Sequence, residues 1–318
     1  MINRIKSSTI KKGIIMNFTP AYMELVNTGE IDERIESLFD ILTNCDLCPR
    51  ECKINRLQGK TGYCKADANM MVSMIQPHFW EETPLVGLGG SGAVFLTHCN
   101  LRCVYCQNYE TSYNEVGLPM TSEQLADNML YLQRIGCHNI NLVTPTHYTP
   151  QLVESIAIAA RKGLRLPIVY NCSGYESVKT LKLLDGIIDI YMPDFKYGND
   201  ETAQLYSNAP DYFEVCSKAI TEMHKQVGDL VIEKDIAYHG LLIRHLILPN
   251  DGAGSLKVLE FIANEISRDS YVNIMFQYRP SYHASEFDEI NRPPYIEERG
   301  NVLDMAIGLG LHRGFPSN

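Results

Sequence analysis

The 318-residue sequence has too little positive charge for a general nucleic-acid binder. Its 28 Lys and Arg stand against 38 Asp and Glu, a formal net charge of -10. Phosphate binding draws its strength from a basic stripe that releases counterions, so only a local basic patch is left open. Long apolar runs are missing too. The first residues, MINRIKSSTIKKGIIMNF, include basic side chains but no stretch long enough for a signal peptide or a membrane span. Met16 offers an alternative start. A cytoplasmic protein with no membrane partner is the expectation. Low-complexity tracts and short internal repeats are also absent. What remains, 45% hydrophobic and 21% charged residues, describes a globular chain with a sizeable core. Its length suits two domains or one large α/β domain.

Cysteine is plentiful, with ten residues at 45, 48, 52, 64, 99, 103, 106, 137, 172 and 216. Seven of them fall in two tight groups. In a reducing cytosol, clustered cysteines point to metal rather than to disulfides.

Three regions follow along the chain. Residues 1–44 read as helical, notably 31–42 with its spaced Ile, Leu and Phe. Residues 45–70 form a cysteine-bearing knuckle rich in Gly, Lys and Arg. From about residue 90, short apolar runs alternate with amphipathic stretches. The runs are 93–96, 139–144, 167–171, 187–192, 241–248 and 271–276. The stretches are 122–135, 150–161, 177–184, 212–227 and 255–266. Such alternation makes right-handed βαβ units and a parallel sheet. Buried parallel strands should read as continuous apolar runs, and these do. Six units predict an α/β partial (β/α)6 TIM-like barrel, because a closed eight-stranded barrel usually needs more chain. The segment 230–242 predicts a small hairpin before the fifth strand. The expected division is 1–89, a helical segment with the cysteine knuckle, and 90–318, the partial barrel with a C-terminal helical segment.

In such folds chemistry sits at the C-terminal ends of the strands. The residues there are His98-Cys99-Asn100, Thr144-Pro145-Thr146-His147, Asn171-Cys172-Ser173-Gly174, Asp194-Phe195-Lys196, Arg244-His245 and Gln277-Tyr278-Arg279. Cys99-x3-Cys103-x2-Cys106 follows the first run directly. Three thiolates can hold three corners of a cubane cluster and leave one iron open for a chelating amino and carboxylate group. Zinc also takes thiolates but needs a fourth ligand, and His98 cannot easily bend back to serve. An Arg inside a barrel needs an anionic partner, which for Arg244 is either a cofactor carboxylate or a buried Asp. His147 and His245 read equally as substrate contacts or as satisfied structural histidines.

The run Cys99-Asn-Leu-Arg-Cys103-Val-Tyr-Cys106 resembles the radical SAM signature, C-x3-C-x-aromatic-C, with Tyr105 at the aromatic position. Glu81-Glu82-x-Pro84-Leu85-x-Gly87, then Gly90-Ser91-Gly92-Ala-Val-Phe95, is similar to the branch related to pyruvate formate-lyase activating enzyme. So is Asn139-Ile-Asn-Leu-Val-Thr-Pro-Thr-His147. The resemblance spans roughly residues 45–315 and implies a partial (β/α)6 barrel. It further implies a [4Fe–4S] cluster on Cys99, Cys103 and Cys106 that reductively cleaves S-adenosylmethionine. The resulting 5′-deoxyadenosyl radical would then abstract hydrogen from a substrate.

Thr144, Thr146, Asn171, Ser173, Asp194, Lys196 and Arg244 are the implied contacts to S-adenosylmethionine. Asp194-x-Lys196 resembles the activase Asp-x-Lys, and Arg244 resembles the activase arginine of the fifth strand. Activases carry Gly-Gly-Glu after the second strand, whereas this chain has Thr144-Pro145-Thr146-His147. The usual electron donor is reduced flavodoxin or ferredoxin. The substrate is a protein or peptide, as for glycyl-radical activases, or else a small molecule or cofactor precursor. A reading of another class is a non-catalytic Fe–S or zinc protein for electron transfer or interaction. The lack of a long C-terminal extension with further cysteines favours an activase-like or small-substrate role.

Cys45-x2-Cys48-x3-Cys52-x11-Cys64 is a complete four-ligand set. A segment this short rarely holds itself by apolar burial. Four thiolates fit a structural zinc or a second [4Fe–4S] cluster that relays electrons. Pro49, Gly59 and Gly62 suit its tight turns. Cys137, Cys172 and Cys216 read as small buried residues, with Cys172 on the predicted active face.

Overall fold

The computed structural model describes residues 18–113 and 116–315. The first 17 residues of the expected helical region therefore lie outside the described residues. Two helices open the fold, α1 (Tyr22–Thr28) and α2 (Glu30–Ile41), followed by the knuckle. Next come β1 (Met71–His78), α3 (Thr83–Val86), β2 (Ser91–Leu96), α4 (Tyr109–Ser112) and β3 (Leu118–Pro119). The barrel units continue with α5 (Ser122–Ile135), β4 (Ile140–Val143), α6 (Thr149–Arg161), β5 (Ile168–Cys172), α7 (Val178–Leu183) and β6 (Ile190–Pro193). The remainder is α8 (Asp200–Ser207), α9 (Tyr212–Val227), β7 (Val231–Glu233), β8 (Ile236–Leu246), α10 (Ser255–Phe261), β9 (Tyr271–Met275) and α11 (Ile296–Gly308).

Among the described residues, six strands run parallel in the order β2-β4-β5-β6-β8-β9. The sheet does not close, so the partial (β/α)6 barrel expected from the apolar runs is the architecture observed. Local chemistry sets the element ends. Thr121 and Gln124 form a capping box at the start of α5, and Gly136 at φ 99° ends it. Leu125, Met129 and Leu132 line its buried face at helical spacing. Asn199 caps α8 by accepting the Glu201 N–H at 2.8 Å.

Two features went beyond the sequence reading. The hairpin at 230–242 and the fifth run share one eleven-residue strand, β8. Its first half pairs antiparallel with β7, and its second half lies parallel between β6 and β9. Gly240 sits at the changeover with φ 115°, where a Cβ would lie 2.4 Å from the Asp229 carbonyl. The unexpected strand is β1, which runs antiparallel to β2. One of its eight residues is buried, and beyond Val72 it pairs, among the described residues, on one side only, so Pro77 lies where an edge tolerates it.

The segment 79–90 threads the barrel. Leu85 packs inside against Val169, Ile190, Met192 and Leu242. Glu82 accepts from Asn273 of β9 at 2.8 Å. The segment thus bridges the open side between β9 and β1. The main core lies between the sheet and its helices and runs from Tyr22 to Leu311.

Candidate active site

The loop after β2 wraps tightly. His98 (φ 69°) and Arg102 (φ 56°) both adopt left-handed backbone conformations, which few non-glycine residues do. The turn is pinned from several sides. His98 N–H donates to the Thr111 carbonyl at 3.0 Å, and Val104 N–H to Tyr206 at 2.8 Å. His283 N–H in turn donates to the Val104 carbonyl at 2.9 Å. Tyr105 is buried among the rings of Tyr197, Tyr206 and Tyr278. This wrapping brings Cys99, Cys103 and Cys106 to one cleft of about 370 Å³.

All three cysteines are free thiols. Leu101 N–H donates to Cys99 Sγ at 3.3 Å, and Cys106 Sγ lies 3.2 Å from Ser112 Oγ. Burial, reinforced by Cys103, pushes the Cys99 thiol up to about 12. Burial raises Cys106 as well. Three thiols lining one cleft are a donor set for a metal. The chemistry of the set, soft sulfur with N–H and O–H groups beside it, fits an iron–sulfur cluster.

Opposite the triad the strand ends form one polar network. Asp194 is its hub. Lys196 Nζ lies 2.6 Å and Arg244 Nε 2.7 Å from its two carboxylate oxygens. Burial alone would raise the Asp194 pKa, but Arg244 and Lys196 outweigh it and hold the carboxyl below its usual range. Arg244 Nη2 also donates to Asn171 Oδ1 at 2.7 Å, and Nη1 pairs with Glu81 at 3.3 Å. Glu81 accepts in turn from Asn141 at 2.8 Å. Arg244 therefore finds its anionic partners in Asp194 and Glu81. Tyr212 holds the network's backbone, since its hydroxyl lies 2.8 Å from the Ser173 and Asp194 carbonyls. That hydroxyl also accepts the Lys196 N–H at 2.9 Å.

Of the expected cofactor contacts, Thr144, Asn171, Ser173, Asp194, Lys196 and Arg244 line the cleft together with the triad. Thr144 has φ 60°, a strained choice for a β-branched residue. Glycine would take that conformation freely. Thr146 is not brought to the cleft. It is buried, and its hydroxyl donates to Glu176 at 2.6 Å. His147 and His245 also lie outside the cleft lining. His245 is buried with Nδ1 2.6 Å from the Phe195 carbonyl and Nε2 2.9 Å from Ser255 Oγ, a satisfied structural histidine. His147 Nε2 sits 2.6 Å from the Thr97 carbonyl, and the ring lines the knuckle instead.

Glu81 is the cleft residue that strand-end reading passed over. It lies in the threaded segment rather than after an apolar run, and the acidic pair Glu81-Glu82 before Pro84 was its one signal in the sequence.

In the knuckle, Cys45, Cys48, Cys52 and Cys64 line one small cavity with Arg50, Arg56 and His147. Glu51, Lys53 and Lys65 have positive φ, which lets the chain double back within so few residues. Gly62 is required there, since a Cβ would sit 2.6 Å from Cys52 Sγ. Tyr63 N–H donates to the same sulfur at 3.4 Å. Arg56 is 1% exposed and donates to the Asp67 carbonyl, yet its Nε is buried without a partner. Among the described residues it makes no ion pair. A buried guanidinium without a carboxylate calls for another anion, and metal-bound thiolates supply one. His147 Nδ1 is likewise buried and unpartnered. Burial, with Arg56 nearby, lowers this histidine to about 3 and keeps it neutral. The residues thus fit a metal–thiolate centre.

An open parallel barrel thus brings three thiols, from the loop after its first parallel strand, to one cleft. Residues 94–232 match the family model of the Radical SAM superfamily, so this stretch of the chain is a radical SAM domain. Domains of this superfamily belong to enzymes that cleave S-adenosylmethionine at a [4Fe–4S] cluster. One uncharacterised protein of Methanocaldococcus jannaschii is 29% identical over 314 residues, covering 96% of this chain and 87% of its own length. A second from the same organism is 26% identical, covering 88% of this chain and 81% of its own. Among solved structures, methylornithine synthase aligns with a TM-score of 0.46 at 17% identity over 66% of this chain. A maturase of the [FeFe]-hydrogenase aligns with 0.45 at 12% identity over 91%. The chain spans 59% and 64% of those two solved chains. No helix among the described residues is long and apolar enough to cross a membrane.

Proposed function

We propose that Cys99, Cys103 and Cys106 hold the cluster and that the enzyme abstracts hydrogen from a protein or peptide. The bound cluster supplies the electron that splits S-adenosylmethionine into methionine and a 5′-deoxyadenosyl radical. The chain's own residues orient the reactants and keep water from them. Thr144, Asn171 and Ser173 offer donors and acceptors at the cleft wall. Asp194, Lys196 and Arg244 form a prepaid charge network, so a polar ligand meets groups already fixed in place. Reduced flavodoxin or ferredoxin is the proposed donor of the electron.

The observation that carries the peptide reading is the cleft rim. Trp80 lines the cleft yet is 92% exposed, and Phe79 beside it is 56% exposed. Large aromatics left in solvent at a cleft mouth are anchors for a partner surface. The segment 278–283, which would plug the mouth for a small substrate, instead packs on the triad loop. There Tyr282 stacks on Tyr109 with ring centroids 5.2 Å apart. The test is hydrogen transfer. Deuterated candidate glycyl peptides should pass deuterium into 5′-deoxyadenosine, and Trp80→Ala should weaken that transfer without abolishing uncoupled cleavage. Transfer from small molecules only would favour the alternative substrate.

We also read the knuckle as a second metal–thiolate centre. Four thiolates fit a second [4Fe–4S] cluster or, failing that, a structural zinc. Anaerobic reconstitution should give about eight irons per chain on that reading and about four, with one zinc, on the other.

A further inference from the structure

Arg50 follows Cys48 by two residues and leaves the knuckle to reach the triad loop. Its Nε donates to the Asn100 carbonyl at 3.0 Å. Its Nη2 donates to the Ser207 carbonyl at 3.0 Å, and Nη1 to that of Asn208, at the end of α8. The guanidinium lies 3.8 Å from the Tyr63 ring centroid and 4.9 Å from that of Tyr175. Tyr63 reaches the same loop, with its hydroxyl 3.4 Å from the Leu101 carbonyl. Asn100 is fully buried and donates to the Tyr175 carbonyl at 2.7 Å.

The peptide between Asn100 and Leu101 is the point of contact. Its carbonyl accepts from Arg50, and its N–H donates to Cys99 Sγ at 3.3 Å. A peptide is one planar unit, so fixing the carbonyl fixes the N–H. A charged donor on the oxygen also polarises the N–H and strengthens its bond to sulfur. Hydrogen bonds to cysteine sulfur tune the potential of an iron–sulfur cluster.

We propose that Arg50 is a positioning residue for the Cys99 thiolate and couples the knuckle centre to the cluster on the triad. Binding metal in the knuckle fixes residues 45–64, which fixes the Arg50 arm. The arm then sets the hydrogen bond on Cys99. This inference rests on the triad holding the cluster that meets S-adenosylmethionine.

The test is a double-substitution cycle on full-length reconstituted protein. The readouts are the midpoint potential of the electron paramagnetic resonance signal that changes on adding S-adenosylmethionine, and the 5′-deoxyadenosine yield. Arg50→Met should shift the signal to lower potential and cut the yield about tenfold. Arg50→Lys, which keeps the charge but cannot bridge three carbonyls, should fall between. Cys48→Ala should shift the same signal in the parent protein and add little in the Arg50→Met background. An unchanged potential in Arg50→Met, or fully additive effects of the two changes, overturns the proposal. Should Arg50→Met not fold, Arg50→Lys and Tyr63→Phe carry the same comparison, and an unmoved signal in both overturns it equally. If the triad does not hold the cluster, Cys99→Ala leaves the responsive signal in place, a failure separate from that of Arg50.

Discussion

At the scale of residues, buried charge decides most of what the site can do. Asp194 carries two cations, and removing its charge leaves Arg244 and Lys196 without their closest anion. Breaking a buried pair of this kind costs about 3–5 kcal/mol. Asp194→Asn should lower the denaturant midpoint accordingly, and a change near zero would show that Glu81 alone satisfies Arg244.

Glu176 makes an opposite case. It is buried, accepts from Thr146 at 2.6 Å, and burial raises its pKa to about 8. Between the ordinary carboxyl value of about 4.3 and that folded value, the native state keeps a proton that the unfolded state has lost. Its contribution is therefore fully present below the unfolded pKa and is lost as pH rises towards 8. Thermal melts from pH 5 to pH 8 should show stability falling in the parent protein, with a shallower slope in Glu176→Gln. Equal slopes would contradict the buried, protonated carboxyl. Thr146 was read from the sequence as a cofactor contact because it follows a strand run. Its true partner lies 30 residues away, which no local pattern encodes.

At the scale of elements, the six parallel strands were legible because burial on both faces leaves continuous apolar runs. Helices α5, α6 and α9 were legible from their periodicity. β1 was not, since a strand with a proline and a single fully buried residue carries little periodic signal. The joined hairpin and fifth strand in β8 were hidden by one glycine at the changeover. The knuckle's four cysteines were legible as a set, but not its dependence on Gly62. Gly62→Ala should push a methyl group to 2.6 Å from Cys52 Sγ and so lower the metal content of the knuckle. Metal analysis of the purified variant checks this, and full occupancy would show that the turn can yield. Gly240→Ala should destabilise the chain where β8 changes partners, by an amount typical of forced left-handed positions, about 1–3 kcal/mol.

At the scale of the whole molecule, the barrel gathers residues spread from Cys99 to Arg244 into one cleft. The threaded segment 79–90 closes its open side and brings Glu81 inside. The knuckle braces the triad loop from outside through Arg50 and Tyr63. The placement of the triad beside a prepared polar wall is the core of this account, and cleavage of S-adenosylmethionine tests it most directly. The measurement is 5′-deoxyadenosine released by anaerobically reconstituted protein with dithionite and S-adenosylmethionine, alongside Cys99→Ala. The account predicts release by the parent protein and none by Cys99→Ala, with the two proteins melting alike. Absence of release from a parent protein loaded with its four-iron cluster, or undiminished release from Cys99→Ala, would contradict it.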